Sequence, residues 1–172
     1  MSITTGLEIR SARAEDAEAL WPILRQVIRA GDTYAIDPGI TRDRALEMWM
    51  DIPRACYVAE ADGEILGTYY IKTNHAGGGA HVCNCGYMVA PSARGQGVAR
   101  AMCAHSQDEA VKLGYLAMQY NLVVETNAGA IALWEQMGFE TVGRMPGAFK
   151  HPEAGLVEAR VMYKWLSDGP GG

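Results

Sequence analysis

Two adjacent stretches of the chain carry residue types that do chemistry. In His81-Val82-Cys83-Asn84-Cys85, a histidine and two cysteines are spaced in the manner of metal ligands. In Arg94-Gly95-Gln96-Gly97-Val98-Ala99, an arginine and two glycines precede a predicted helix, Val98 to Leu113. Glycine admits backbone angles closed to other residues and removes side chains that would hold a phosphate away. The N–H groups at a helix start face outward, unpaired, at the positive end of the helix dipole. Arg94 adds a charged, planar donor fork. Together these describe an anion site built mainly from backbone. An ordinary glycine-rich strand–helix turn has the same spacing.

Other phosphate loops do not fit. A Walker A loop requires Gly-Lys-Ser/Thr, which is absent here, and the third glycine of G-x-G-x-x-G is replaced by Arg100. A nucleotide hydrolase is therefore disfavoured. The metal reading is also weak. Structural zinc uses C-x₂₋₄-C spacing from a loop, whereas Cys83 and Cys85 sit at i and i+2 of a predicted strand, about 7 Å apart on one face. Cysteine is a common buried hydrophobe. The expectation is no metal, even with His75 and His81 nearby.

The elements that must position these residues follow from periodicity. The chain has 172 residues, 49% of them hydrophobic, which is one domain with a real core. Residues 1–166 are assigned to that domain and 167–172 to a disordered tail. Net charge is −5, the wrong sign for a general nucleic-acid surface. No apolar run approaches the ~18 residues of a membrane span, and no secretory signal is visible. Four scattered cysteines argue for reduced thiols and a cytoplasmic protein. Strands are predicted at Leu7–Arg13, Cys56–Ala61, Glu64–Thr73, His81–Ala90, Ala117–Val124, Phe139–Arg144 and Val157–Leu166. Helices are predicted at Glu15–Arg29, with Pro22 forcing a kink or late start, and at Asp43–Asp51, Val98–Leu113 and Asn127–Met137. The order β-α-α-β-β-β-α-β-α-β-β indicates an α/β (α+β) fold: a mixed central sheet with helices on both faces. Ligands gather where strands end and helices begin.

Val89-Ala90-Pro91 followed by Arg94-Gly95-Gln96-Gly97-Val98-Ala99 resembles motif A of the GNAT acyltransferase superfamily, R/Q-x-x-G-x-G/A. Thr126-Asn127-Ala128-Gly129-Ala130-Ile131, running to Met137-Gly138-Phe139, resembles its motif B. The resemblance spans Leu7 to about Trp165 and implies the GNAT fold, with acetyl-CoA as co-substrate. By that resemblance the pyrophosphate would sit on Arg94, Gly95, Gln96, Gly97, Val98 and Ala99. The pantetheine arm would run along the strand ending at Met88 and Val89, within reach of Asn127. The family attacks the thioester directly in a ternary complex, and its members are often homodimers.

Acetyl transfer needs a neutral amine and a held oxyanion. Asn84 and Asn121 stand in otherwise apolar strands flanking the expected thioester. A buried Asn must satisfy several donors and acceptors, so it is costly there without a purpose; local backbone satisfaction is the competing explanation. The trio Asn84, Asn121 and Asn127, in the context YNLVVETNAGAIALWEQMGF, is most similar to a fungal subgroup acetylating proline analogues such as azetidine-2-carboxylate. That resemblance implies that Asn84 holds the acceptor, while Asn121 and the backbone N–H of Leu122 line the oxyanion site. Many relatives carry a Tyr acid where this chain has Trp134, for which core packing is favoured. His81 is the candidate base, at the position matching a family Glu, although an exposed His at a strand start is equally consistent. Thr33 and Tyr34, with Phe149 in the segment Met145–Glu153, are expected to border the acceptor pocket. The reading is an N-acetyltransferase acting on a small-molecule amine or amino acid. A protein acetyltransferase and a non-catalytic CoA-binding regulatory module are the alternatives.

Overall fold

Asp62 and Gly63 both adopt positive φ, 52° and 77°, the geometry of the tight hairpin turn that matches strand twist. They join β2 (Ala55–Ala61) to β3 (Glu64–Thr73) in the computed structural model, which describes residues 6–167. Five further strands complete one mixed sheet: β1 (Glu8–Ser11), β4 (Val82–Val89), β5 (Ala117–Val124), β6 (Glu140–His151) and β7 (Gly155–Trp165). The spatial order is β1-β2-β3-β4-β5-β7-β6. Neighbours are antiparallel except β4 and β5, which run parallel.

The helices are α1 (Ala17–Ala30), α2 (Arg42–Leu46), α3 (Val98–Lys112) and α4 (Ala128–Gln136). Helix α1 starts later than Glu15, after a single tight turn at Ala14–Asp16, and keeps Pro22 within it. Its buried stripe of Leu20, Ile23, Leu24 and Ile28 packs with Trp49, Val58 and Met88 on one face of the sheet. On the other face Val98, Met102, Cys103 and Ala110 of α3, and Ile131 and Trp134 of α4, pack with Tyr87, Met118 and Tyr120. Successive side chains of a strand point to opposite faces, so β4 divides cleanly: Met88 belongs to the α1 side, and Cys83, Cys85 and Tyr87 to the α3 side.

One expectation changes. The segment Met145–Glu153 is not a free loop, because β6 runs on to His151. Pro146, Gly147 and Ala148 bulge out between the pairs Met145↔Ala159 and Phe149↔Val157, and a bulge on an edge strand tolerates the missing N–H of proline. The tail, beyond Ser167, lies outside the described residues. Among the described residues no helix is long and apolar enough to cross a membrane.

Candidate active site

Strands β4 and β5 pair only at Val82↔Ala117 and Cys83↔Met118. Beyond those pairs they separate. Asn84 bridges the first step of the opening, its Nδ2 donating to the Gln119 carbonyl at 2.9 Å. Further along, β5 carries a bulge: Tyr120 pairs with Met162 and Val123 with Arg160, so Asn121 and Leu122 together oppose Val161. Bulges re-aim backbone groups and are common beside active sites.

The β4 edge of this opening is set by ladder alternation. Ala90 N donates to Leu66 O and Asn74 N to Val82 O, so even-numbered residues of β4 bond to β3. The groups facing the opening belong to Cys85, Tyr87 and Val89. Met88, expected at the pantetheine arm, therefore has its backbone in the β3 ladder and its side chain 2% exposed under α1. Val89 thus has its backbone groups on the opening side, and so does Tyr87, which the sequence reading did not single out for this edge. A period of two counted from Val89 points to it.

At the mouth of the opening, Pro91–Ala93 form one tight turn and the chain enters α3 through Arg94–Gly97. Gly95 and Gly97 have φ of 72° and 84°. The first helical bond runs from Ala101 N to Gly97 O, leaving the N–H groups of Val98 and Ala99 outside the ladder of α3. The first turn holds no acidic residue. Gln96 folds back, Nε2 donating to Ser92 O at 2.6 Å, so its side chain shapes the turn. Arg100 is directed toward α4, bonded to Gln136. Asn127 caps α4, Oδ1 accepting from Ala130 N at 3.3 Å, which leaves its Nδ2 for a ligand.

The α1 side of the opening is polar within an aromatic frame. Tyr70 donates to Asn84 Oδ1 at 3.3 Å, and burial pushes its hydroxyl up to about 12, so it stays a neutral donor. A Cβ on Gly86 would lie 2.7 Å from the Tyr70 ring; only glycine lets that ring lie across β4. Trp49 meets Tyr70 edge-on at 4.7 Å, and Tyr34 packs against Trp49 at 6.1 Å. The Tyr34 hydroxyl accepts from Tyr87 N and donates to Tyr87 O, each at 2.7 Å. Thr33 is half-buried beside it. Asn121 is exposed on the same face, with Oδ1 accepting from Gln119 Nε2 at 2.9 Å and Nδ2 donating to Asn74 Oδ1 at 2.7 Å. Leu122 is half-buried.

The remaining candidates stand as follows. His81 is exposed at the paired end of β4 and stacks on Trp165, ring centres 6.3 Å apart. It is three residues from Asn84, about 10 Å along a strand, and on the far side of it from the opening. That position sets His81 apart from the opening. Phe149 is buried in β6, opposite Val157. Trp134 lies in the core, 5.0 Å from Tyr87 and 5.1 Å from Tyr120. The Tyr87 and Tyr120 hydroxyls bond to each other at 2.9 Å on the α3 side, and burial raises both well above the ordinary phenol range, which keeps both protonated. Burial likewise holds the Cys85 thiol protonated.

This opening, the glycine turn and the seven-stranded mixed sheet define an acyltransferase scaffold. The family model described as the acetyltransferase (GNAT) family matches residues 19–139, and the chain belongs to that family. A GCN5-related N-acetyltransferase from Kribbella flavida has a similar structure, with a TM-score of 0.90 and 41% identity over 94% of this chain and 99% of that one. N-acetyltransferase aca1 of Schizosaccharomyces pombe is 31% identical over 132 residues, which are 67% of this chain and 63% of that protein. The chain thus spans less than two thirds of aca1's length. A phosphinothricin acetyltransferase from Sinorhizobium meliloti, solved in complex with AcCoA, shares the fold at a TM-score of 0.85 and 18% identity, over 98% of this chain and 92% of that one.

Proposed function

We propose that this chain transfers an acetyl group from acetyl-CoA to the nitrogen of a small amine or amino acid, in the cytoplasm. The observation that carries the reading is the opening between β4 and β5, with a strand edge that no strand pairs on one wall, where the Tyr34 hydroxyl holds Tyr87, and the Asn121–Leu122 bulge on the other. The free N–H groups at the start of α3 fit a pyrophosphate, and Tyr87 and Val89 fit an extended amide-bearing arm. Acetyl-CoA, when bound, supplies an activated acyl carbon as its thioester.

The chain's own residues supply positioning and charge stabilisation. Gly95 to Ala99, with Arg94, hold the anion through backbone N–H groups and one full charge. Val89 and Tyr87 pair with the arm, and Asn127 Nδ2 reaches it from the cap of α4. The Leu122 N–H and Asn121 Nδ2 face the carbonyl oxygen as negative charge builds there during attack by the amine. Asn84 and the neutral Tyr70 hydroxyl orient the acceptor, while Tyr34 and Thr33 close the pocket. No protein nucleophile takes part: the C–N bond forms and the C–S bond breaks, CoA would leave as its thiolate, and the amine's proton passes to water, from which the thiolate would be protonated.

Lys72 supports an amino-acid acceptor. It is the register partner of Asn84 on β3, its Nζ lies 5.3 Å from the centre of the Tyr70 ring, and it has no carboxylate partner among the described residues. A carboxylate on the acceptor fits that ammonium. The Asn84, Asn121 and Asn127 trio supports the proline-analogue subgroup.

The test is calorimetric titration with acetyl-CoA, then thiol release with a panel of amino acids, cyclic imino acids, plain amines and peptides. Binding followed by turnover on small acceptors is expected. Turnover on peptides alone would replace the reading with a protein acetyltransferase, binding without turnover with a CoA-binding module, and no binding would overturn it.

A further inference from the structure

We infer that Asn74 is a positioning residue for Asn121, acting with Gln119 to fix the direction in which the Asn121 amide points. The inference rests on the reading of Asn121 as an oxyanion donor. Asn121 is exposed on a bulge, where an amide side chain is ordinarily free to rotate. Here both ends are held. Gln119 Nε2 donates to its Oδ1 at 2.9 Å, and its Nδ2 donates to Asn74 Oδ1 at 2.7 Å. Asn74 is itself anchored, its backbone N–H donating to Val82 O at the β3–β4 junction. Gln119 is anchored through its carbonyl, which accepts from Asn84 Nδ2. The row Asn84, Gln119, Asn121, Asn74 thus links the first open step between β4 and β5 to the end of β3, where Asn74 lies opposite Val82.

Each amide nitrogen carries two hydrogens. Asn74 takes one from Asn121 and leaves the other for a carbonyl oxygen in the opening. Asn74 uses only its oxygen: its own Nδ2 is buried with no hydrogen-bond partner among the described residues. Burying an amide donor unsatisfied costs about 1–3 kcal/mol, so local stability does not explain an asparagine there. A carboxylate would supply the same oxygen and remove the orphan donor, but would set a negative charge beside the oxygen on which charge builds. The neutral amide avoids that.

The test compares Asn74→Ala, Asn121→Ala and the double variant, with Gln119→Met as a second way to loosen the same amide should Asn74→Ala fold poorly. Asn74→Ala is expected to lower kcat about ten-fold, as misorientation of a held donor does. Its acetyl-CoA Kd stays within about two-fold, because the backbone cradle is untouched. In the Asn121→Ala background, removal of Asn74 is expected to cost nothing more. An equal further loss in that background shows that Asn74 acts without Asn121 and overturns the inference. So does unchanged kcat in Asn74→Ala and Gln119→Met when Asn121→Ala is slow; the oxyanion reading then survives. Unchanged kcat in Asn121→Ala removes the oxyanion reading and this one with it.

Discussion

The hydroxyl of Tyr34 lies 2.7 Å from both the amide nitrogen and the carbonyl oxygen of Tyr87. It closes with one atom the pair of backbone groups that β4 presents to the opening. An acyl-CoA arm that pairs with the same strand edge must displace that hydroxyl. Tyr34→Phe leaves the Tyr87 groups without this partner in the free enzyme, at a cost of about 1 kcal/mol. Acetyl-CoA no longer pays for displacement, so its Kd is expected to fall roughly five-fold while the ligand-free protein melts slightly lower. Calorimetry on the two proteins decides it; a weaker Kd in Tyr34→Phe means that the hydroxyl holds the arm instead.

Gly97 and Gly63 allow strain to be separated from binding. Both have positive φ, 84° and 77°, a region that costs an L-residue about 1–2 kcal/mol. Gly63 lies in the β2–β3 turn and Gly97 in the turn into α3. Alanine at either position is expected to lower Tm similarly, by roughly 3–6 °C for a chain of this size. Only Gly97→Ala should also weaken acetyl-CoA, by about ten-fold or more, because it moves N–H groups that face the anion. Equal affinities in the two variants would remove the α3 turn from the CoA site.

The order of elements and the glycine turn were readable because periodicity and positive-φ residues are local properties. The hairpin at Asp62-Gly63, the cap at Asn127 and the core placement of Trp134 stand where local chemistry put them. The proposed acceptor side was only half readable. Asn84 and Asn121 stood out as polar residues in apolar strands, but Tyr70 and Asn74 reach the same face from β3 and its end, through pairings far apart in sequence. The spacing of His81 from motif A says nothing about which end of β4 opens. That end is set by where the β4–β5 ladder stops, after Cys83↔Met118. The extent of β6 was hidden by Pro146 and Gly147, which read as a loop and are accommodated as a bulge.

His105 gives the fold a pH dependence separate from catalysis. Burial lowers its pKa, and Lys112 lowers it further against the pull of the carboxylates of Glu109, at 4.0 Å, and Asp108. The Tyr69 hydroxyl sits 2.6 Å from its Nδ1, and Tyr57 donates to Glu109 beside it. The unfolded chain takes the proton first, near pH 6.5, so stability falls as pH drops through that value and levels off once the folded histidine also protonates. Asp16 and Glu109 are held below the ordinary carboxylate range, chiefly by their hydrogen bonds from Arg10 and Lys112, so their contribution is lost only at lower pH. Between pH 7 and 5.5 the Tm of the parent protein should drop more than that of His105→Gln. Identical slopes would show that His105 keeps its proton equilibrium on folding.

The pH dependence of turnover tests how the amine loses its proton. With His81 stacked on Trp165 at the paired end of β4, no histidine of β4 reaches the opening, and the row Asn84, Gln119, Asn121, Asn74 and Tyr70 is neutral at physiological pH, with the Lys72 ammonium beside Tyr70. The enzyme then binds the neutral fraction of the amine and stabilises charge on the acyl oxygen without supplying a base. Log kcat/KM is expected to rise with unit slope until the pKa of the acceptor, about 8 to 10 for most amines, and the break should move when a less basic acceptor is used. His81→Ala should give an overlapping curve. His75, one residue beyond Asn74, is the companion variant and should overlap as well. A break near pH 6.5 that stays fixed across acceptors and disappears in one histidine variant would identify that residue as the base.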